Sequence, residues 1–275
     1  MHKVAFEFGP LTITWFGILI AVAFLAGLWT ASRRGLRDGI AAETILDLGF
    51  PLILGAIIGA RALYVVSYWD TLFKEPLFPR APWTEILMVQ RGGLVYYGGL
   101  IGAAVACLIY VRLRKLPLWK VADILAPSIA LGYVFGRIGC LLNGCCFGGV
   151  CHLPWAIQYP VRSFAWEQHC ASGLVGERDL SAPVHPTQIY DSLLNLGLYF
   201  ALAWLYRRKK FDGQVFATYL VCYAVTRSLV EVFRGDYPVR YLGGAATPAH
   251  LISAGILAAG LVLFWKLPRG NTART

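Results

Sequence analysis

The sequence predicts an all-α integral membrane protein with seven transmembrane helices, its N-terminus outside and its C-terminus in the cytoplasm. Of its 275 residues, 57% are hydrophobic and 15% are charged, whereas an ordinary soluble domain has roughly 25% charged residues. The mean hydropathy of +0.59 indicates the same class. A soluble fold of this length would need more polar residues to cover its surface. The composition also excludes a disordered chain and a secreted disulfide scaffold.

Seven apolar stretches approach the length that a helix needs to cross a hydrocarbon core of about 30 Å. They are continuous and do not alternate with period two, which favours helices over a β-barrel. We number these predicted spans one to seven: 12–31, 45–66, 94–111, 121–142, 187–206, 214–233 and 248–266. The first has no convincing cleavage site, so we expect it to remain in the mature protein. Glycines in the second and third spans predict close helix packing, namely Gly55, Gly59, Gly98, Gly99 and Gly102.

Basic residues follow every second predicted span, and this pattern sets the orientation. Fourteen of the 25 lie there: Arg33, Arg34, Arg37, Arg112, Arg114, Lys115, Lys120, Arg207, Arg208, Lys209, Lys210, Lys266, Arg269 and Arg274. By the positive-inside rule these ends face the cytoplasm. The net charge of +10 is therefore explained by topology, and we expect no nucleic-acid partner.

The opposite side receives residues 1–11 and the loops 67–93, 143–186 and 234–247. We interpret 143–186 as an extracytoplasmic cap, because this longest loop contains Trp155, Tyr159 and Trp166. The whole chain, 1–275, is then a single polytopic membrane domain with the cap inserted between the fourth and fifth spans.

Charged residues inside apolar spans indicate where a membrane protein works, because each costs roughly 2.5–3.5 kcal/mol at the centre of a helix on insertion scales. Arg61 lies in the second span, Arg137 in the fourth, and Arg227 with Glu231 in the sixth. Asp123, at the start of the fourth span, has a simpler interpretation as a carboxylate near a helix N-terminus.

The sixth span carries Tyr223, Arg227, Glu231 and Arg234 at spacings of four, four and three, which places them along one helix face. Arg227 and Glu231 alone are equally consistent with a structural ion pair. With Arg61 and Arg137 added, four guanidiniums face one nearby carboxylate, and an anion must balance them. Phosphate suits the planar guanidinium, and the abundant phosphate of a bilayer is the lipid headgroup. These residues predict a pocket for an anionic phospholipid.

Cys140, Cys145, Cys146 and Cys151 follow one another at spacings of five, one and five, and Cys170 lies further along the same loop. Four roles remain open: a metal site, one or two disulfides, a redox-active vicinal pair, and a nucleophile that forms a lipid–enzyme intermediate. The spacing matches no familiar zinc knuckle. An oxidising outer compartment favours a disulfide from Cys145 or Cys146 to Cys151 or Cys170. We therefore expect a structural role that ties the loop to the end of the fourth span.

The segment Gly136-Arg137-Ile138-Gly139-Cys140-Leu141-Leu142-Asn143-Gly144, followed by Gly148, resembles the signature of the prolipoprotein diacylglyceryl transferases. Further segments match in order along the chain: Trp15–Gly17, Gly59–Arg61, Tyr97–Gly102, His185–Tyr190 and Arg227–Arg234. The resemblance covers almost the whole chain. Members of this family have seven helices and an external N-terminus, which agrees with the charge pattern.

The resemblance implies an enzyme of the bacterial inner membrane with its active site toward the outer leaflet. Such an enzyme transfers the diacylglyceryl group of phosphatidylglycerol to the lipobox cysteine of a prolipoprotein signal peptide, giving a thioether and glycerol phosphate. It needs neither a metal nor a nucleotide cofactor, and the sequence shows a motif for neither. The implied catalytic residues are Arg137, Arg227 and Tyr97. The implied substrate-binding residues are Arg61, Gly98, Gly99, Gly136, Gly139, Asn143, Gly148, Gln188, Tyr190, Tyr223, Glu231 and Arg234.

The sequence departs from the family pattern at positions that concern proton transfer. Tyr97 stands where many members have the histidine proposed to help deprotonate the thiol, and a tyrosine phenol is a poor base at neutral pH. Cys140 and Cys145 stand where Asn and Glu are better known, and Phe16 replaces a tyrosine. His185 is a second candidate for the base. The alternatives to a transferase are a membrane thiol–disulfide oxidoreductase and a non-catalytic lipid-binding or transport paralogue on the same scaffold.

Overall fold

The computed structural model of the protein divides into two compact units. The first comprises Met1–Ala31 with Ala122–Thr275, and the second comprises Ser32–Val121. The residues that the structure describes are 4–8, 11–70, 86–89, 92–235 and 247–271. Most of the predicted loops 67–93 and 234–247 lies outside these residues, as does the basic residue Arg274.

A short β-hairpin precedes the helices. Strands β1 (Val4–Phe8) and β2 (Leu11–Thr14) pair antiparallel. The helices follow in this order: α1 (Trp15–Arg37), α2 (Ala42–Asp47), α3 (Gly49–Ser67), α4 (Tyr96–Leu113), α5 (Leu118–Asn143), α6 (Phe164–Ala171), α7 (Thr187–Tyr206), α8 (Gln214–Glu231) and α9 (Pro248–Asn271). The prediction of an all-α membrane protein is confirmed with one local difference at the N-terminus. Residues 12–14 of the first predicted span pair with β1 through their backbone instead of continuing the helix.

Each of the seven predicted spans corresponds to one long helix. The fifth, 187–206, coincides with α7, and the second begins inside α2 and continues through α3. The third and fourth spans differ from α4 and α5 by one to three residues at each end. The apolar runs therefore predict these helices well, because length and continuity are the main requirements for a helix in a bilayer.

Within the described part of the chain, five helical segments are long and apolar enough to cross a membrane: Trp15–Arg37, Ala42–Ser67, Tyr96–Leu113, Leu118–Asn143 and Pro248–Leu267. Helices α7 and α8 have sufficient length, at 20 and 18 residues, but are more polar. Their polar side chains are buried rather than exposed, including Gln188, Asp191, Asn195, Arg227 and Glu231.

In the second unit, glycines bring α3 and α4 into backbone contact, as predicted. A Cβ atom added to Gly55 would lie 2.6 Å from the carbonyl oxygen of Gly102, and one added to Gly59 would meet the carbonyl oxygen of Gly98. Tyr110 of α4 donates a hydrogen bond of 2.9 Å to the carbonyl oxygen of Thr44. The glycines of the predicted second and third spans thus serve helix packing.

In the first unit, Asp123 caps a helix, but not its own. Its carboxylate is fully buried and accepts hydrogen bonds of 2.9 Å from the backbone N–H groups of Gly213 and Phe216, at the start of α8. Lys209 Nζ lies 3.5 Å from the same carboxylate. Asp123 therefore lies at a helix N-terminus, as predicted, but the helix that it caps is α8 and not its own helix α5.

Residues 144–186, between α5 and α7, pack around their own small core. Phe147, Tyr159, Ala165 and Val184 are buried there. Isolated bridges pair Val184 with both Val150 and Ile157. Ser163 caps α6 by accepting a hydrogen bond of 3.2 Å from the backbone N–H of Trp166. The expectation that this loop is more than a linker agrees with this packing.

Candidate active site

Arg137 of α5 is held by two neighbouring side chains. Its Nε lies 3.0 Å from Oδ2 of Asp191 on α7, an ion pair whose angle falls short of a hydrogen bond. Its NH2 donates a hydrogen bond of 2.5 Å to the hydroxyl of Tyr133, one turn earlier, and its guanidinium lies over that ring at 4.8 Å. The Tyr133 hydroxyl is also 3.5 Å from Asp191. The guanidinium is thus fixed in place with part of its donor edge still available.

Arg227 of α8 forms the predicted ion pair with Glu231, at 2.5 Å between NH1 and Oε2. Glu231 is 3% exposed, and its second oxygen accepts a hydrogen bond of 2.6 Å from Thr247 Oγ1. His250 Nδ1 lies 3.1 Å from the same hydroxyl. Arg234 approaches Glu231 at 4.0 Å. The carboxylate of Glu231 therefore lies between Arg227 of α8 and Arg234, which follows the end of this helix.

An aromatic contact joins these two pairs. The rings of Tyr133 on α5 and Tyr223 on α8 meet edge to face, with centroids 5.7 Å apart, and Tyr223 stacks on Tyr219 at 5.7 Å. Asp191 interacts electrostatically with Arg137, Arg227 and Arg234. The three helices thus bring three arginines and two carboxylates together, and we call these five residues the arginine cluster: Arg137, Asp191, Arg227, Glu231 and Arg234.

The expectation of a single carboxylate among the guanidiniums is wrong, because Asp191 is a second one. Asp191 lies inside the apolar span 187–206, so the sequence signal that indicates Arg137, a charge within a span, is present at this position too. Arg61 belongs to the second unit, where its guanidinium donates to the carbonyl oxygens of Ile86 at 2.9 Å, Gly92 at 2.8 Å and Gly93 at 3.1 Å. By formal charge the arginine cluster retains one net positive charge.

Three other predicted site residues, Tyr97, Gly98 and Gly99, also belong to the second unit. Tyr97 is exposed at the start of α4, and its ring contacts that of Tyr96. Gly98 is buried against α3, where a Cβ atom would meet the Gly59 carbonyl oxygen, and a Cβ on Gly99 would lie 3.4 Å from the carbonyl oxygen of Ala56. The two glycines are thus explained by helix packing.

The predicted glycines of the first unit have different surroundings. A Cβ atom on Gly139 would lie 2.9 Å from the ring of Phe16, and one on Gly148 would lie 2.7 Å from the carbonyl oxygens of His185 and Phe233. Gly136 is open by comparison, with Ile20 at 3.9 Å as its nearest neighbour. Close packing therefore requires glycine at 139 and 148, whereas at 136 there is room beside the Arg137 backbone.

Three of the seven cysteines lie together where α5 ends. The Sγ atoms of Cys140, Cys145 and Cys146 are all within 4.8 Å of one another, and we call these residues the cysteine cluster. All seven cysteines of the chain are reduced. The predicted disulfide of Cys145 or Cys146 with Cys151 or Cys170 is thus not formed, because both thiols point back toward Cys140.

The cysteine cluster adjoins the arginine cluster. Hydrogen bonds from the Cys140 and Cys145 thiols, together with the guanidiniums of Arg137 and Arg234, lower the pKa of the Cys146 thiol. Cys146 is therefore a sulfur that favours the thiolate form beside two cations.

Two predicted substrate-binding residues hold the cysteine loop instead of facing open space. Gln188, 1% exposed, donates hydrogen bonds of 2.7 Å to the Cys145 carbonyl oxygen and 2.8 Å to the Tyr159 hydroxyl. Asn143 Nδ2 donates to Cys145 Sγ at 3.5 Å. These contacts give both residues a positioning role for the cysteines.

An apolar cavity of about 480 Å³ opens beside α7 and α8, and Tyr190 lies at its wall. The Tyr190 hydroxyl accepts a hydrogen bond of 2.8 Å from Trp155 Nε1 and lies 3.3 Å from His185 Nδ1. Leu193, Leu229 and Phe233 supply part of the remaining wall. The cavity has the character of a binding place for an acyl chain or an apolar side chain.

Comparison with known proteins identifies the family of this chain. The family model of the prolipoprotein diacylglyceryl transferases matches residues 3–266. A phosphatidylglycerol–prolipoprotein diacylglyceryl transferase from Geobacillus kaustophilus is 35% identical over 273 residues, covering 98% of this chain and 94% of the relative. Enzymes of the same name are 33% identical in Bacillus cytotoxicus, covering 95% and 90%, and 34% identical in Synechococcus elongatus, covering 94% and 85%. This multi-pass membrane protein therefore belongs to the prolipoprotein diacylglyceryl transferase family.

Proposed function

We propose that this protein transfers the diacylglyceryl group of phosphatidylglycerol to the lipobox cysteine thiol of a prolipoprotein, and that the arginine cluster binds the phosphate of the donor lipid. The observation that carries the proposal is the meeting of arginine side chains from α5 and α8 in that cluster. Three guanidiniums and two carboxylates meet inside the protein, at side-chain exposures of 12% or less. Guanidinium groups bind phosphate oxygens through paired hydrogen bonds, so arginines gathered in one place suit a phosphodiester.

The same arrangement suits the chemistry of the transfer. The acceptor sulfur attacks a glyceryl carbon, the C–O bond to phosphate breaks, and the electron pair leaves with glycerol phosphate. Negative charge therefore grows on a phosphate oxygen in the transition state. Arg137 and Arg227, each fixed by a carboxylate, offer preorganised donors for that charge, and preorganised donors contribute more than mobile ones. We assign these two arginines the catalytic role.

We propose Tyr97 as the third catalytic residue, which orients the phosphate or relays a proton. Arg61, Gly98 and Gly99 likewise remain proposed substrate contacts. In the first unit, Arg234, Tyr223 and Glu231 line the proposed phosphate site, and Tyr190 lines the apolar cavity, which we assign to an acyl chain of the lipid. An amphiphilic donor needs both a charged and an apolar site.

We further propose that all seven long helices cross the bacterial inner membrane as one domain, with the N-terminus and the segment 143–186 outside. The buried polar residues of α7 and α8 support this topology, since intramembrane charges face the interior of a helix bundle. The lipid phosphate lies at the membrane surface, so the site opens toward the outer leaflet.

Reconstituted transfer tests the function. The purified protein is placed in vesicles containing phosphatidylglycerol, and mass spectrometry follows the thioether on a synthetic lipobox peptide. We expect product with the wild type and a rate lower by about 100-fold or more in Arg137→Lys, because lysine is a point charge without the planar fork. Arg114→Lys is the matched control, since Arg114 pairs with Asp47 at 3.5 Å on the surface. Absence of product from folded wild-type protein contradicts the proposal.

A further inference from the structure

We propose that Cys140, Cys145 and Cys146 bind a zinc ion, and that the fourth position of this ion takes the acceptor thiol. The second half of this statement rests on the proposed transferase function. The three sulfur atoms come from the end of α5 and the turn that follows it, and they lie within 4.8 Å of one another. Zinc–thiolate bonds of about 2.3 Å require a slightly tighter triangle, which side-chain rotation can provide. Thiolate sulfur is the ligand type that selects zinc over magnesium or calcium.

The backbone turn that follows α5 brings the three sulfur atoms together. Gly144 and Cys146 both have left-handed backbone angles, with φ of +74° and +60°. A non-glycine residue in this region is uncommon and unfavourable, and such strain concentrates at functional sites. The two residues reverse the chain after α5, and the Cys145 N–H donates back to the Cys140 carbonyl oxygen at 3.2 Å. Without this turn, the side chains of Cys145 and Cys146 would lie far from that of Cys140.

A second layer of contacts fixes the cysteine turn. Thr187 Oγ1 donates a hydrogen bond of 2.8 Å to the Cys146 carbonyl oxygen, and Gln188 binds that of Cys145. Asn143 donates to Cys145 Sγ. Hydrogen bonds of this kind orient metal ligands and stabilise thiolate sulfur. The start of α7 and the end of α5 thus hold the three sulfurs in one arrangement.

Three protein ligands leave one position of tetrahedral zinc available. Among the described residues, the cluster of metal-ligating side chains contains these three cysteines alone. A zinc site with three protein ligands is the catalytic type, whose fourth position takes water or substrate. The cysteine cluster is therefore suited to bind an external ligand and not to close around the ion.

In the proposed reaction, the acceptor cysteine must attack as a thiolate, and it can occupy the fourth position of the zinc ion in this form. The acceptor thiol binds zinc and releases its proton to water, because a coordinated thiol is deprotonated. The zinc-bound sulfur then attacks the glyceryl carbon, forming the C–S bond while the C–O bond to phosphate breaks. The electron pair leaves on glycerol phosphate, and the thioether dissociates from zinc. Cys146 interacts electrostatically with Arg137 and Arg234, so sulfur and lipid phosphate would meet at adjoining sites.

Metal content tests the binding site. The full-length protein is purified in lipid nanodiscs from zinc-supplemented medium and analysed by elemental mass spectrometry. We expect about one zinc per chain in the wild type and in Cys170→Ser. Cys140→Ser, Cys145→Ser and Cys146→Ser should each lower zinc affinity by about tenfold or more. Because a variant may misfold, cobalt titration of the wild type provides a second measurement, with the thiolate-to-cobalt absorption of a tetrahedral site expected. Failure of the wild type to bind either ion overturns the proposal.

A second experiment separates the acceptor role from the transferase function. Addition of the lipobox peptide should shift the absorption of the cobalt protein, and the same peptide with Ser in place of Cys should not. Chelation should abolish transfer by the wild type, and zinc should restore it. Full transfer by zinc-free protein overturns the acceptor role and leaves the proposed function intact. If the protein binds zinc but forms no product under any condition, both the proposed transfer and the acceptor role of zinc are contradicted. The zinc site itself is then supported by the measured number of zinc ions per chain.

Discussion

The Nε atom of Arg137 lies 3.0 Å from Oδ2 of Asp191, and this pair connects α5 to α7 at the centre of the arginine cluster. Asp191 is 2% exposed, so its carboxylate is a buried partner for a residue that we propose to be catalytic. It compensates the guanidinium and also fixes its direction. Asp191 therefore holds in place one of the guanidiniums that we propose to bind the lipid phosphate.

Replacing Asp191 should destabilise the protein. Asp191→Asn keeps the shape of the side chain and removes its charge, which leaves Arg137 without its ion pair inside the protein. Removal of one partner from a buried pair costs about 3–5 kcal/mol. We expect a lower thermal midpoint in nanodiscs. Asp47→Asn removes a carboxylate that is 58% exposed and should leave the midpoint unchanged. Equal midpoints for Asp191→Asn and wild type contradict the assignment.

Thr247 should act on catalysis through Glu231. Its hydroxyl donates the 2.6 Å hydrogen bond that orients this carboxylate beside Arg227. Thr247→Val removes that bond, and the loss of about 1 kcal/mol should lower the transfer rate about fivefold. Thr218→Val is the control, because the Thr218 hydroxyl donates to the Gln214 carbonyl oxygen of its own helix. A Thr247→Val enzyme as fast as Thr218→Val argues against a positioning role.

Asp123 should stabilise the start of α8. Asp123→Ala removes the acceptor of two N–H groups, those of Gly213 and Phe216. Loss of a helix cap costs about 0.5–2 kcal/mol. Hydrogen exchange should accelerate at these two amides and remain unchanged in α9. Unaltered exchange at Gly213 contradicts this role.

Segment 144–186 should lose stability as the pH falls. Burial lowers the pKa of His169 from its usual value of 6.5, and the ring accepts a hydrogen bond of 3.2 Å from the Ala182 N–H. The folded segment therefore binds fewer protons than the unfolded one. Its stability is complete above about pH 6.5 and decreases as the pH falls below that value toward the folded pKa. Hydrogen exchange in α6, measured from pH 7.5 to about 5, checks this dependence.

Two variants provide the comparison. His169→Gln removes the titrating group and should flatten the pH dependence of exchange in α6. His152→Gln changes an exposed histidine of the same segment and should retain the wild-type dependence. If exchange in α6 of His169→Gln depends on pH as in the wild type, another group causes this dependence.

The helices could be predicted from sequence because an apolar run of sufficient length has few other structures available in a membrane. Contacts between residues that are distant in the sequence could not be predicted in this way. Arg137 and Asp191 are 54 positions apart, and no periodicity connects α5 to α7. Asp123 was correctly identified as helix-terminal, but sequence proximity suggested its own helix rather than α8. Local patterns predict local structure, and tertiary packing chooses the partners.

The cysteine cluster shows the same limit. The spacing of Cys140, Cys145 and Cys146 resembles no zinc knuckle, so a motif search gives no metal site. The sulfurs meet because α5 places Cys140 beside a turn whose left-handed residues are Gly144 and Cys146. Glycine is common at left-handed positions such as 144, whereas no sequence pattern indicates the left-handed angle of Cys146.

Equilibrium binding of phosphatidylglycerol tests the central claim most directly. Native mass spectrometry of the detergent-solubilised protein compares this lipid with phosphatidylethanolamine, whose headgroup has no net charge, in wild type, Arg227→Lys and Arg114→Lys. Arg227 lies in the arginine cluster, and Arg114 forms an exposed ion pair with Asp47. We expect the wild type and Arg114→Lys to prefer phosphatidylglycerol by about tenfold, or about 1.4 kcal/mol, and Arg227→Lys to lose that preference. Equal preference in all three proteins would contradict a phosphate site at the arginine cluster.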